Sequence, residues 1–179
     1  MTQTAQNPKV LAVDDDPRIH KIVELYLKKN GYDVVCVPSG EAALESVKTT
    51  RPDLVLLDVM MPGLNGYEVC GRLQKDKETA YIPVIFATAL GEEKDKLKAF
   101  AAGAVDYLVK PFQKERLLEA VSKHVETSRR WKEMSRGPAR SAGEEKLQAA
   151  NFGKFVSFLL TQLGLGSDSL ATVKPRSLY

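Results

Sequence analysis

Along the first two thirds of the chain, short apolar runs alternate with longer stretches of helical spacing. "KVLAV" (Lys9 to Val13) predicts a strand. Ile19, Ile22, Val23, Tyr26 and Leu27 then recur at the spacing of one helix face, and Gly31 stops that helix. "DVVCV" (Asp33 to Val37) predicts a second strand. Ser39 is placed to cap a helix carrying Ala42, Ala43 and Val47. "LVLLD" (Leu54 to Asp58) is apolar up to its last residue, as expected of a strand covered on both faces. The loop "VMMPGLNG" leads to a helix with Val69 and Leu73. "VIFA" (Val84 to Ala87) predicts a fourth strand, followed by a helix from Glu92 to Ala102 that Gly103 closes. "DYLV" (Asp106 to Val109) predicts a fifth strand. A last helix starts near Gln113 and carries Leu117, Leu118, Val121 and Val125.

Strand–helix alternation of this kind predicts an α/β fold, a doubly wound five-stranded parallel sheet of (βα)5 type. Ligands of such sheets sit beyond the carboxyl ends of the strands. The residues predicted there are Asp14 and Asp15 after the first strand, Asp58 at the end of the third, Thr88 after the fourth and Lys110 after the fifth. If they converge, three carboxylates face one hydroxyl and one ammonium. Such a cluster costs several kcal/mol unless protons or a cation relieve it. Mg²⁺ suits one or two carboxylates with carbonyls and waters, and leaves room for phosphate oxygens. One carboxylate can then attack a phosphoryl group while the lysine and hydroxyl hold its oxygens.

The pieces "VLAVDDDP", "LVLLDVMMPGLNGYE", "PVIFATA" and "AGAVDYLVKPF" occur in this order. Over roughly Lys9 to Val125 the chain resembles the receiver domain of response regulators, the CheY-like, flavodoxin-like phosphoacceptor module of two-component phosphorelays. The resemblance implies that Asp58 accepts a phosphoryl group from a sensor histidine kinase. It implies that Asp14, Asp15, Asp58 and the backbone carbonyl of Met60 hold Mg²⁺, and that Thr88 and Lys110 contact the phosphoryl oxygens. Tyr107 matches the switch aromatic whose rotamer follows the Thr88 hydroxyl; a plain core aromatic is the alternative reading. The Lys110–Pro111 bond is expected to be cis. Met60 and Leu90 stand at the two positions that flank the path of the hydrolytic water. Both are apolar, which implies slow self-dephosphorylation. The implied catalysis is confined to the chain's own phosphorylation and dephosphorylation.

Other polar residues have plainer expectations. Asp16 precedes Pro17 and reads as a helix N-cap. Asp106 and Asp53 read as turn residues, Asp53 solvated. His20 and His124 read as ordinary helix residues, and Cys36 and Cys70 as buried reduced thiols. The first eight residues are polar, without the apolar stretch of a signal peptide, and no run is long enough to span a membrane. A cytoplasmic protein is expected.

Charge divides the chain. Up to Val125 there are 17 basic and 18 acidic residues; beyond it there are 9 and 5. The expected units are a disordered stretch over residues 1–8, the receiver over 9–125, a helix extension and linker over 126–145, and a helical tail over 146–179. In the tail Phe152, Phe155, Val156, Leu159, Leu160 and Leu163 form one apolar helix face. That face needs a partner: a downstream protein or domain, a second copy, or the receiver itself. The predicted output surface is the face of the fourth helix, fifth strand and fifth helix, with Lys94, Lys98, Phe100, Ala101, Asp106, Tyr107, Lys114 and Leu117. DNA binding is not expected, because one clear helix follows the linker and a helix-turn-helix needs more. The alternative is the receiver portion of a larger effector, a transcription factor or a secretion- or pilus-type ATPase, whose output domain is missing or truncated. A haloacid-dehalogenase phosphatase is excluded by Met60 and Pro62, which stand after Asp58 where that chemistry wants a second Asp and a Thr or Val.

Overall fold

The computed structural model describes residues 6–89, 91 and 93–135, leaving aside the side chains of 93, 94, 97 and 131–135. Five strands alternate with five helices: β1 (Lys9–Val13), α1 (Pro17–Lys28), β2 (Asp33–Val37), α2 (Gly40–Thr50), β3 (Leu54–Leu57), α3 (Gly66–Lys75), β4 (Val84–Thr88), α4 (Glu93–Ala101), β5 (Asp106–Val109) and α5 (Lys114–Ser135). The strands form one parallel sheet in the order β2-β1-β3-β4-β5. The chain steps outward from β1 to β2, then returns to the other side of β1 with β3. That reversal puts a crevice at the carboxyl ends of β1 and β3.

Alternate residues of each strand feed two cores, as a pleat with period two requires. Leu11, Val13, Val55, Leu57 and Phe86 join Val47 of α2, Val69 and Leu73 of α3 and Ala99 of α4. Val10, Ala12, Leu54, Leu56, Ile85 and Leu108 join Val23 and Leu27 of α1 and Leu117 and Val121 of α5. Thus α1 and α5 cover one face and α2, α3 and α4 the other. Leu54 to Leu57 are buried throughout, which explains the unbroken apolar run of β3.

Helix starts are fixed by short polar side chains. Asp16 accepts the Arg18 N–H at 2.9 Å and Ser39 accepts the Ala42 N–H at 3.2 Å, both as N-caps. Gly31 (φ 82°) and Gly103 (φ 98°) take the left-handed conformation that ends a helix at little steric cost. Asp58 lies one residue past β3. Thr88 lies inside β4 rather than after it, because β5 continues the ladder to the pair Thr88–Val109. The last helix runs unbroken to Ser135, well past Val125.

Five expectations are corrected. Leu117 is fully buried in the α5 core and Tyr107 is buried with Phe86, so neither belongs to a free surface. Asp53 is half-buried: it accepts the N–H of Lys9, the first residue of β1, at 3.0 Å. Asp106 and His124 are not a loose turn acid and a plain helix residue. The His124 ring is buried, and its Nε2 lies 3.1 Å from Asp106 Oδ2. Expectations for residues 1–5, Leu90 and residues 136–179 lie outside the described residues, as do those for the side chain of Lys94.

Candidate functional site

At the carboxyl ends of β1 and β3, three carboxylates crowd together. Oxygens of Asp14, Asp15 and Asp58 all lie within 4.8 Å of one another. Asp14 and Asp58 are buried and Asp15 is exposed at the rim. Asp14 is oriented by the Asp16 N–H, 3.0 Å from its Oδ1. Asp58 is anchored through its own N–H to the Val13 carbonyl at 2.9 Å, and its Oδ1 accepts the Met60 N–H at 3.3 Å.

One cation reaches in from the far side. Lys110 Nζ lies 3.0 Å from Asp58 Oδ2 and in close contact with Asp14 Oδ2. The lysine follows β5, whose ladder ends with the Lys110 N–H on the Thr88 carbonyl at 2.9 Å. The Lys110–Pro111 bond is cis, as expected. One ammonium does not balance three carboxylates. Burial raises the Asp14 carboxyl above its ordinary value, the Asp58 charge adds to that, and the Lys110 and Asp16 hydrogen bonds only partly oppose it. The site therefore has room, in charge, for a further cation. An all-oxygen donor set is what Mg²⁺ prefers, so the residues present fit that ion.

Thr88 and Tyr107 complete the arrangement. Thr88 is fully buried at the end of β4, two residues beyond Phe86, which pairs with Leu57, the neighbour of Asp58. Tyr107 pairs with Phe86 on β5. Its hydroxyl is pushed up to about 12, first by burial and then by the nearby Tyr67, Asp95 and Asp58. Met60 stands two residues past Asp58 with its side chain exposed. Leu90, the second lifetime position, lies outside the described residues.

Sequence reasoning missed the bracing of the loop between Asp58 and α3. Glu41 of α2 accepts the Leu64 N–H at 3.1 Å. Asn65 and Glu68 form a capping box at the start of α3, each accepting the other's backbone N–H. Gly66 is required by contact: a Cβ there would lie 2.2 Å from the Asp58 carbonyl oxygen. The "NGYE" stretch carried a signal for the capping box. Nothing local signalled Glu41, whose partner is 23 residues away.

A family model, the response regulator receiver domain, matches residues 10–122. The chain belongs to this family. Like other receivers, it is a signal-transduction domain of two-component systems rather than a member of an ordinary enzyme family. Among curated proteins, the DNA-binding dual master transcriptional regulator RpaA of Synechocystis is 44% identical over 114 residues, 64% of this chain and 47% of that protein. The alkaline phosphatase synthesis transcriptional regulatory protein PhoP of Bacillus subtilis is 43% identical over 106 residues, 59% of this chain and 43% of that protein. The chain thus spans about half the length of the curated relatives it matches. Among solved structures, the receiver domain of Francisella response regulator 1452 has a TM-score of 0.63 at 33% identity, covering 67% of this chain and 98% of that one. The chemotaxis protein CheY4 of Vibrio cholerae has a TM-score of 0.63 at 32% identity, covering 65% and 98%. Among the described residues, no helix of this receiver is long and apolar enough to cross a membrane.

Proposed function

We propose that this receiver accepts a phosphoryl group on Asp58 from a sensor histidine kinase in the cytoplasm and holds it long enough to switch an output surface. The observation that carries this reading is the charge deficit at the strand ends: three converging carboxylates for one ammonium. Asp58 Oδ1 or Oδ2 attacks phosphorus, the bond from phosphorus to the donor atom breaks, and an acyl phosphate results. Lys110, already in contact with Asp58, turns to the phosphoryl oxygens, and the Thr88 hydroxyl joins it. Asp14, Asp15, Asp58 and the Met60 carbonyl hold Mg²⁺, which when bound balances charge on the transferred oxygens. Tyr107 is the group that follows Thr88 and passes the change to α4, β5 and α5. A phosphoryl group brings roughly 1.5 to 2 negative charges and three strong acceptors. To take the active arrangement from 1% to 99% it must favour that arrangement by about 5.5 kcal/mol.

The test is intact-protein mass after incubation with Mg²⁺ and acetyl phosphate. One added phosphoryl group is expected on the chain and none on Asp58→Asn. A folded chain that gains nothing overturns the proposal. Lifetime follows from Met60 and Leu90, neither of which can orient a water by hydrogen bonding. The Met60→Asn, Leu90→Glu double variant is expected to lose its phosphoryl group roughly tenfold faster, a modest part of the 10²–10⁴-fold that general acid–base assistance reaches. Equal decay would remove the lifetime argument.

The receiver unit is taken as residues 9–125, with residues 126–145 as extension and linker and 146–179 as a helical tail. Output runs through a protein partner or a second copy. A second reading has support of its own: RpaA and PhoP are named as transcriptional regulators, and this chain matches about half of each. In that reading the receiver is the input half of a larger regulator, and the expectation against DNA, made for this chain from the one clear helix after its linker, does not extend to the larger protein. A salt-dependent mobility shift on duplex DNA by the full chain would favour it.

A further inference from the structure

The chain carries four methionines and two cysteines. Among those whose side chains are described, Cys36 is half-buried, Cys70 is buried and Met61 is 8% exposed, whereas Met60 is 62% exposed. Oxidation of sulfur by a peroxide needs access, and for a thiol it also needs the thiolate. Burial pushes the Cys36 thiol up to about 11, with the Glu24 charge adding to that, and the Cys70 thiol up to about 12. Cys70 also donates its S–H to the Ala102 carbonyl at 3.3 Å. Both thiols therefore stay protonated near neutral pH. Met61 packs in the core with Leu57 and Val59. A thioether has no proton to lose, so exposure governs its reaction, and Met60 is the open sulfur among the described residues.

Its position gives that exposure a consequence. Met60 stands two residues past Asp58, and its N–H lies 3.3 Å from Asp58 Oδ1. As a thioether it offers water only a weak acceptor. As a sulfoxide it becomes polar, and its new oxygen lies as many bonds from Cα as the amide oxygen of glutamine. That oxygen can accept a hydrogen bond from a water attacking the acyl phosphate, which the unmodified side chain does not do. We infer that Met60 is a redox-modification site: a peroxide converts it to the sulfoxide, and the sulfoxide shortens the life of the phosphoryl group on Asp58.

The inference rests on the proposed phosphoryl transfer to Asp58. In the oxidation, the sulfur lone pair attacks one oxygen of hydrogen peroxide, the O–O bond breaks and an S–O bond forms. The departing hydroxide takes the proton left on the new S–OH group and leaves as water. Sulfur loses two electrons and the peroxide gains them; a methionine sulfoxide reductase reverses the change. Exposure also confines the damage. A polar sulfoxide at Met60 stays in water, whereas one at Met61 would enter the core.

The test uses the full chain, treated with hydrogen peroxide, cleared with catalase and mapped by fragmentation mass spectrometry. Treated and untreated chains are then phosphorylated with Mg²⁺ and acetyl phosphate, freed of donor and followed by intact mass. Expected are oxidation of Met60 roughly tenfold faster than of Met61, loss of the phosphoryl group roughly threefold faster after treatment, and an unchanged thermal melt. Methionine sulfoxide reductases for the two epimers restore the untreated decay. Met60→Gln decays faster than the unsubstituted chain without any peroxide. Met60→Leu decays at one rate with and without treatment, although Met1 and Met134 are still there to be oxidised. Oxidation of Met61 as fast as of Met60 overturns the inference. So does a Met60-oxidised chain that keeps its phosphoryl group as long as before, or a Met60→Leu chain whose decay peroxide still hastens. A folded, untreated chain that takes up no phosphoryl group overturns the phosphoacceptor reading; normal uptake with a decay blind to peroxide overturns this inference alone.

Discussion

A cluster of three carboxylates and one half-buried carboxylate lie at opposite ends of this sheet, and they are built on opposite terms. At the carboxyl ends Asp14, Asp15 and Asp58 converge, and among the described residues the one ammonium there is that of Lys110, which contacts Asp14 and Asp58. At the start of β5, Asp106 alone has His124 on one oxygen, Arg116 near the other, and the Tyr107 N–H at 2.8 Å. The first cluster is short of positive charge and the second is amply supplied. Burial is adverse to both carboxyls, yet Asp14 ends above its ordinary value. In Asp106 burial is outweighed by the hydrogen bonds and charges of its partners, so its carboxyl ends below. A site that must bind something leaves interactions unmade; a site that only holds the fold together completes them. That contrast separates function from scaffold better than the mere presence of buried acids does.

The comparison breaks most visibly if Lys110 is removed. Lys110→Ala is expected to cost about 2 kcal/mol in the metal-free protein, since buried Asp14 and Asp58 lose the one counter-charge they have among the described residues. Mg²⁺ should recover much of that loss, as seen by urea melts with and without the ion. No loss, or no recovery, would mean that the cluster is not short of cation. A smaller effect, with opposite signs at the two ends, comes from neutralising one acid in each. Asp58→Asn relieves crowding and should stabilise the apo chain by about 1 kcal/mol, while Asp106→Asn should destabilise it by about 1 kcal/mol. Equal signs would erase the distinction.

The pH dependence is the smallest of these effects. A carboxyl held below its ordinary value stabilises the fold above that value and stops doing so as pH falls through the folded one. The deficit of Asp106→Asn should therefore be complete above pH 3.8, the ordinary carboxylate value, and shrink below it. Thermal melts of both proteins across acid pH check this. A deficit that grows with acid would contradict the assignment.

What the sequence made legible follows the same divide. β3 could be read because four apolar residues in a row suit a strand covered on both faces, and Asp58 because it breaks that run. Asp16 was legible as a cap because Pro17 follows it. These are local signals. The Asp106–His124 pair was not legible, because it joins a strand to a helix 18 residues later and depends on which side of α5 faces β5. For the same reason Leu117 was placed on a surface that it does not reach: its neighbours Lys114 and Arg116 are exposed, and one helix step decides the difference. Asp53 looked like a solvated turn acid because its partner, the Lys9 N–H, lies 44 residues back. The acidic site itself was legible only because each member ends a strand, and parallel strands bring their ends together.

The most direct test of the central claim is to locate the phosphoryl group. The full chain is incubated with acetyl phosphate, with Mg²⁺ or with chelator, then reduced with borohydride to trap the acyl phosphate and mapped by peptide mass spectrometry. Modification at Asp58 alone, and only with Mg²⁺, is the result this account predicts. Modification at Asp14 or Asp15, equal modification under chelation, or none on folded protein would contradict it.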